Sequence, residues 1–307
     1  MPFTLVTLVQ FSHFYFVTLH TDLNLEMEIF KTISELQQSL KADRDKGLLI
    51  GFVPTMGALH KGHLSLVEQA AKENDRVVVS IFVNPTQFND PNDLKNYPRN
   101  LDADAGLLST VVCDYIFVPS VTEIYPDSDT REFDFGTLET VMEGHFRPGH
   151  FNGVAQVVSK LFSIVMPDRA YFGLKDFQQY SIIKNLKEKL HLPVNLVACE
   201  TVREDDGLAL SSRNKLLTPE HRIVVPQIYR ILKEARADAT NFTPHEVKTR
   251  VIGKIDSLGL LKTEYFEIVD ELTLQSVTDW NQKGTKVGCI AVFAGSVRLI
   301  DNIVFDK

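Results

Sequence analysis

Between Leu48 and Val53 six residues run without a charge, L-L-I-G-F-V, and similar apolar runs recur at Arg76–Val83, Tyr115–Val118, Arg169–Phe172 and Val194–Ala198. Short runs of this kind, bounded by turn residues, are the pattern of strands buried on both faces. Between them the period changes. Apolar residues three and four apart predict helices over Lys61–Glu73, Leu101–Val112, Val154–Val165 and Asp176–Leu190. In the first of these Leu64, Val67 and Ala71 share a face, and Lys72, Glu73, Asn74 and Asp75 mark the polar end. Regular alternation of strand and helix predicts an α/β fold, a Rossmann-like doubly wound parallel sheet with ligands at the carboxyl ends of its strands.

The pattern also sets boundaries. Thr32-x-x-Glu35 reads as a capping box, Ile33, Leu36 and Leu40 as a helical stripe, and Gly47 as its end. Residues 1–26 lack such patterning. They are rich in Phe, Val and Thr, offer no Lys or Arg for the basic start of a signal peptide, and are interrupted by Gln10, Ser12, His13 and His20, against a membrane span. We expect the fold to begin at Met27, with 1–26 an extension outside it. Past residue 200 the alternation stops. Helical stretches at Pro219–Ala237 and Pro244–Leu258 precede Tyr265–Val269 and Ile290–Ile300, which read as antiparallel strands with a turn at Ala294-Gly295-Ser296. The expected division is a Rossmann-like domain over 27–200 and a smaller α+β domain over 201–307 that closes over the site.

A net charge of -8 on 307 residues argues against a main surface that grips nucleic acid, since backbone binding needs clustered Lys and Arg. An anionic ligand would need a local basic pocket. Cys113, Cys199 and Cys289 lie far apart with no C-x-x-C, so neither a disulfide framework nor a structural zinc site is suggested, and a reducing cytoplasm fits.

The chemistry concentrates where predicted strands end. V-P-T-M-G-A-L-H-K-G-H-L-S-L-V, Val53 to Val67, joins a strand to a helix whose N-terminal N–H groups and macrodipole favour an anion. Gly57 and Gly62 allow close approach, and His60 and His63, three apart, share one face of the first turn. One histidine capping the helix while the other packs on the sheet is the plainer reading of an isolated H-x-x-H; a zinc pair lacks a third ligand at familiar spacing. Two more strand ends carry Asn84-Pro-Thr-Gln87 and Gly173-Leu-Lys175-Asp176-Phe-Gln-Gln179, and a fourth cluster, Arg203-Glu-Asp-Asp-Gly-Leu-Ala-Leu-Ser211-Ser212-Arg213-Asn214, stands at the expected domain junction.

Five motifs in this order, P-T-M-G-A-L-H-x-G-H, S-I-F-V-N-P-x-Q-F, E-G-x-x-R-P-G-H-F-x-G-V, F-G-x-K-D-F-Q-Q and D-G-L-A-L-S-S-R-N, resemble those of the pantothenate synthetases. The resemblance covers the chain from Met27 onward. It places the sequence among the H-x-G-H nucleotidyltransferases and implies a cytoplasmic homodimer. Pantoate would be activated with ATP and Mg²⁺ to an adenylate that β-alanine then opens, giving pantothenate, AMP and pyrophosphate.

By that resemblance Met56, Gly57, Ala58, Leu59, His60, Lys61, Gly62 and His63 form the ATP-binding segment, with His63 the proton donor. Lys175, Ser211, Ser212 and Arg213 hold the phosphates, Gly173 and Asp176 meet the ribose with Leu174 between them in the ATP-binding run, and the backbones near Val202 and Leu210 frame adenine. Gln87, Gln179 and Asn84 serve pantoate, Gln87 also β-alanine, and Arg147 and His150 the β-alanine side or a loop over the site. No side chain is assigned to metal, Mg²⁺ arriving on ATP. Lys61 and Leu174 depart from the acidic residues common at their motif positions; Lys61 forgoes a dipole interaction of roughly 0.3–1 kcal/mol. Alternatives are another H-x-G-H nucleotidyltransferase, or a catalytically silent nucleotide-binding protein of the same fold.

Overall fold

The computed structural model describes residues 27–88 and 91–305, so the expected extension over 1–26 lies outside the described residues. Strands β1 (Glu28–Phe30), β2 (Ile50–Thr55), β3 (Arg76–Ile81), β4 (Tyr115–Phe117), β5 (Arg169–Gly173) and β6 (Asn195–Cys199) form one parallel sheet in the order β1-β4-β3-β2-β5-β6. The apolar runs suit parallel strands because both faces are covered. Phe52, Val78, Phe117 and Ala170 pack on the side of helices Ile33–Asp45, His150–Val165 and Phe177–Lys189. Val53, Val79, Ile116 and Tyr171 pack on the side of Lys61–Glu73 and Leu101–Leu108. Full burial of a Val or Phe side chain stabilises by about 1.5–3 kcal/mol, so these runs are committed to the interior.

The chain passes outward from β2 to β3 and β4, then returns to the other side of β2 for β5 and β6. This reversal puts the switch point between β2 and β5, where crevices of such sheets open at the carboxyl ends.

Several boundaries differ from the periodicity. β1 pairs with β4 at the sheet edge and is too short, at 3 residues, to show a period. The helix expected from Val154 begins at His150, entered through Gly149 at φ 79°. Gly153 lets that helix touch the Asn84–Gln87 segment, since a side chain there would start 2.4 Å from the Thr86 carbonyl oxygen. The helix expected to Val112 stops at Leu108, and the one expected from Asp176 starts at Phe177 after a 3-10 turn at Leu174–Asp176. Pro219–Ala237 divides into Pro219–Val224 and Gln227–Asp238, because Pro226 lacks the N–H that would continue the ladder.

Beyond β6 the chain builds a separate antiparallel sheet, β7 (Leu261–Asp270), β8 (Lys286–Ala294) and β9 (Val297–Phe305). One face packs on helices Gln227–Asp238 and Pro244–Asp256 through Phe266, Ile290, Val292 and Leu299. The other presents Tyr265, Val287, Cys289 and Ala291 to the core of the parallel sheet, so the two layers share apolar contacts. Among the described residues no helix is long and apolar enough to cross a membrane.

Candidate active site

After Thr55 the backbone turns through two left-handed residues, Gly57 at φ 78° and Ala58 at φ 51°. Thr55 Oγ1 accepts the Gly57 N–H at 3.2 Å and donates to the Ser80 carbonyl at 2.7 Å, locking the turn to β3. Buried Asp104 accepts the N–H of Ala58 at 3.0 Å and of Leu59 at 2.7 Å. His60 then caps the helix Lys61–Glu73: its Nδ1 accepts the Gly62 N–H at 3.1 Å, which leaves its proton on Nε2. The His63 ring lies against it, centroids 4.1 Å apart at 35°, and the buried His63 Nδ1 has no hydrogen-bond partner. His60 therefore does cap the helix, and both imidazoles also line the cavity described below.

Burial, with Lys175 and Lys215 nearby, lowers the His60 pKa to about 4. Burial, then His60 and Lys175, lowers His63 to about 3. Each ring is neutral at pH 7 with one N–H to donate. His150 behaves alike, lowered to about 4 by burial and by Arg147. Unfolded imidazoles take up protons near pH 6.5 while these folded ones do not. Stability of the free protein is thus expected to be level above pH 6.5 and to fall as pH drops toward 5, a window above most carboxylate titration. Thermal midpoints across that window test it, and a flat profile would contradict the buried neutral rings.

At the end of β3, Gln87 is buried, its Nε2 donating to Met56 Sδ at 2.9 Å and its Oε1 accepting from Asn84 Nδ2 at 3.3 Å. Asn84 is 1% exposed; its amide also donates to the Gly153 carbonyl at 3.0 Å, and Tyr125 Oη donates to its Oδ1 at 3.0 Å. It stands behind Gln87 and does not line the cavity. The Arg147 guanidinium can only donate, so His150 Nε2, 3.2 Å away, accepts and His150 Nδ1–H donates to the Gln87 carbonyl at 2.8 Å. Of the adjacent glutamines, Gln179 faces the cavity, whereas Gln178 is tied to Glu143 N–H and to the carbonyls of Leu138 and Val141.

These strand ends surround a cavity of about 240 Å³ at the β2–β5 switch. Of the residues singled out in the sequence, Met56, His60, Gly62, His63, Gln87, Gly173, Lys175, Asp176, Gln179, Val202, Leu210, Ser211, Ser212 and Arg213 line it. Gly57, Ala58, Leu59, Lys61, Leu174 and Asn84 do not. Lys61 is exposed at the helix mouth and Leu59 is buried beneath it. A second cavity, about 790 Å³ between the two sheets, shares Lys175, Asp176, Gln179, Ser211 and Arg213 with the first and adds Arg147 and His150. Among the described residues no group of three or more His, Cys, Asp and Glu is arranged to hold a metal ion.

Arg298, Asp301 and Asn302 were not singled out in the sequence, and each reaches a residue or turn that was. Arg298 on β9 grips Glu143 with two bonds, 2.8 and 2.7 Å, and Tyr265 Oη donates to the same carboxylate at 2.8 Å. These partners hold Glu143 below its usual pKa despite burial. Asn302 Nδ2 donates to the carbonyls of Leu174 at 2.8 Å and Lys175 at 3.1 Å. Arg203 pairs with Asp301 at 2.7 and 2.9 Å, and the Leu210 N–H donates to the Val202 carbonyl at 3.0 Å, closing the Val202–Leu210 hairpin. Their signal was faint: Arg298, Asp301 and Asn302 interrupt an otherwise apolar final strand.

A family model described as pantoate-beta-alanine ligase matches residues 28–304. The chain belongs to the pantoate–β-alanine ligase family. It is 53% identical over 280 residues to a pantothenate synthetase of Porphyromonas gingivalis, covering 91% of this chain and 100% of that protein. It also superposes on the crystal structure of pantothenate synthetase from Thermus thermophilus with a TM-score of 0.84 at 42% identity, covering 90% of this chain and 99% of the other. A pantoate-beta-alanine ligase from Francisella tularensis, crystallised with beta-gamma ATP and β-alanine, gives 0.76 at 38% identity, covering 92% and 98%. Family membership makes this protein an enzyme, an AMP-forming ligase that joins pantoate to β-alanine.

Proposed function

We propose that the ligase works through a pantoyl adenylate, with ATP lying across the β2–β5 switch and pantoate in the apolar recess beside it. The observation that supports this best is that one cavity unites the cations of Lys175 and Arg213 with the neutral amides of Gln87 and Gln179. Cations and imidazole N–H groups suit phosphate oxygens; carboxamides suit hydroxyls and a carboxylate. Phe82, Val157 and Leu161 offer an apolar wall for pantoate's methyl groups.

In the first step a pantoate carboxylate oxygen attacks the α-phosphorus of ATP. A P–O bond forms, the bond to the bridging oxygen breaks, and its electron pair leaves on pyrophosphate. His60, His63, Lys175, Ser211, Ser212 and Arg213 donate toward that charge. In the second step the β-alanine amine attacks the acyl carbon, the C–O bond breaks with its electron pair leaving on AMP, and the amine's proton passes to water. Gly173 and Asp176 would meet ribose, and Val202 and Leu210 adenine. The cations Lys175 and Arg213 line the cavity beside the carboxylates of Asp176 and Glu200, and Mg²⁺ is read as part of the ATP substrate, neutralising phosphate charge. Arg147 and His150, in the second cavity, are read as serving β-alanine. A homodimer, a cytoplasmic location, and the division into 27–200 and 201–307 belong to the same reading.

The test is isotope exchange. Labelled pyrophosphate should enter ATP when pantoate and Mg²⁺ are present and β-alanine is absent, and adding β-alanine should then yield pantothenate with AMP. Exchange that ignores pantoate, or pantothenate formed without any exchange, would overturn the adenylate route.

A further inference from the structure

The turn between β2 and the helix Lys61–Glu73 is held by a residue that belongs to neither. Gly57 and Ala58 both have positive φ, and in the turn they make the N–H groups of Ala58 and Leu59 converge on one concavity, an arrangement of turn backbone that suits an anion. In phosphate-binding loops the ligand fills that concavity. Here Asp104 does. It is 3% exposed, its Oδ2 accepting from Ala58 at 3.0 Å and its Oδ1 from Leu59 at 2.7 Å. Oδ2 also lies 2.8 Å from where a side chain at position 57 would begin, so the carboxylate reaches the floor of the turn.

Its own support is firm. Asn100 Oδ1 accepts the Ala103 N–H at 3.0 Å to cap the helix Leu101–Leu108, and Leu108 packs in the same buried cluster as Leu59 and Val67. A non-glycine residue at φ 51° is strained and persists where surrounding contacts fix it. The bond that Asp104 accepts from the Ala58 N–H is one such contact, and Met56 and His60, both in the cavity wall, stand two residues to either side of Ala58.

We propose that Asp104 is a positioning residue for adenylation: by occupying the N–H groups of Ala58 and Leu59 it fixes the turn that aims Met56 and His60, and it directs the triphosphate away from that concavity toward Lys175 and Arg213. The proposal rests on residues 56–63 being the ATP segment. Asp104 itself touches no substrate and acts through the turn.

Asp104→Asn and Asp104→Ala test it in the full chain beside wild type. Exchange of pyrophosphate into ATP by wild type is the control; its absence defeats the ATP reading, and the role of Asp104 falls with it. Because a misplacement of about 1 Å at a reacting centre costs about a hundredfold, the exchange rate should fall by about that factor in both variants, with a raised KM for ATP. The KM for pantoate, and acyl transfer from preformed pantoyl adenylate to β-alanine, should stay near wild type. Formate, a carboxylate small enough for the space vacated in Asp104→Ala, should restore exchange, and uncharged formamide should not. Wild-type ATP kinetics in either variant, equal loss in both half-reactions, or failure of formate to restore exchange overturns the assignment. Should Asp104→Asn lack a cooperative melt, Asp104→Ala with formate decides. Failure of both variants to fold even with formate makes Asp104 a residue of the fold at large and overturns it too.

Discussion

Lys175→Ala should lower the rate of pantoate-dependent pyrophosphate exchange by about a hundred- to a thousandfold, the usual effect of deleting one preorganised donor aimed at developing charge. Lys175 lies in the 3-10 turn between β5 and the helix Phe177–Lys189, and it lines both cavities. Its ammonium also helps lower the pKa of His60 and of His63, so it bears directly on the place where both rings meet the cavity. Charge that grows on pyrophosphate during P–O cleavage would meet that cation most strongly at the transition state, so the loss should fall on turnover. Gln179→Ala provides the contrast, since a neutral amide that holds pantoate before and during reaction should mainly raise the KM for pantoate. A Lys175→Ala enzyme with intact turnover and only weakened ATP binding would remove the lysine from the transition state.

His63→Ala should divide the two half-reactions. The His63 Nδ1 is buried without a partner, and the ring is neutral beside His60. A polar atom so placed is costly in the free protein. Exchange should fall by about a hundredfold or more, in line with loss of a charge-stabilising donor. Acyl transfer from preformed pantoyl adenylate should change far less, because attack by a free amine on an activated ester develops less charge at that end of the site. Parallel losses in both steps would make His63 a support of the fold, and the paired measurement separates the cases.

The chain revealed what is encoded locally and concealed what is assembled across distance. Strands β2 to β6 and the helices covering them follow from period and turn residues within a few positions of one another. His60 and Lys175 were legible for the same reason, each sitting where an apolar run breaks at a helix entrance. Asp104 was not: in the first turn of Leu101–Leu108 an acid is expected for the helix dipole alone, and its bond to Ala58 spans 46 residues. Gln178 and Gln179 are chemically identical neighbours, and only the rotation of about 100° between successive helix positions decides which meets the cavity at the β2–β5 switch. Asn84 looked like a ligand because its neighbours do, whereas packing against Gly153 and Tyr125 turns its amide inward. Glu143 and Arg298 pair across 155 positions, a separation that no local period reveals, although Arg147 also stands 3.7 Å from Glu143.

The bond from Asn302 to the carbonyls of Leu174 and Lys175 has a bearing on how the enzyme is born. It ties the lysine turn to a strand 128 residues further along, which leaves the ribosome well after the turn does. The parallel sheet can form earlier, from contacts already synthesised, yet the turn that carries Lys175 stays without this brace until β9 pairs with β8. A nascent chain that has not yet reached β9 can therefore hold a formed parallel sheet and still lack a set lysine, so that competence for chemistry waits on β9.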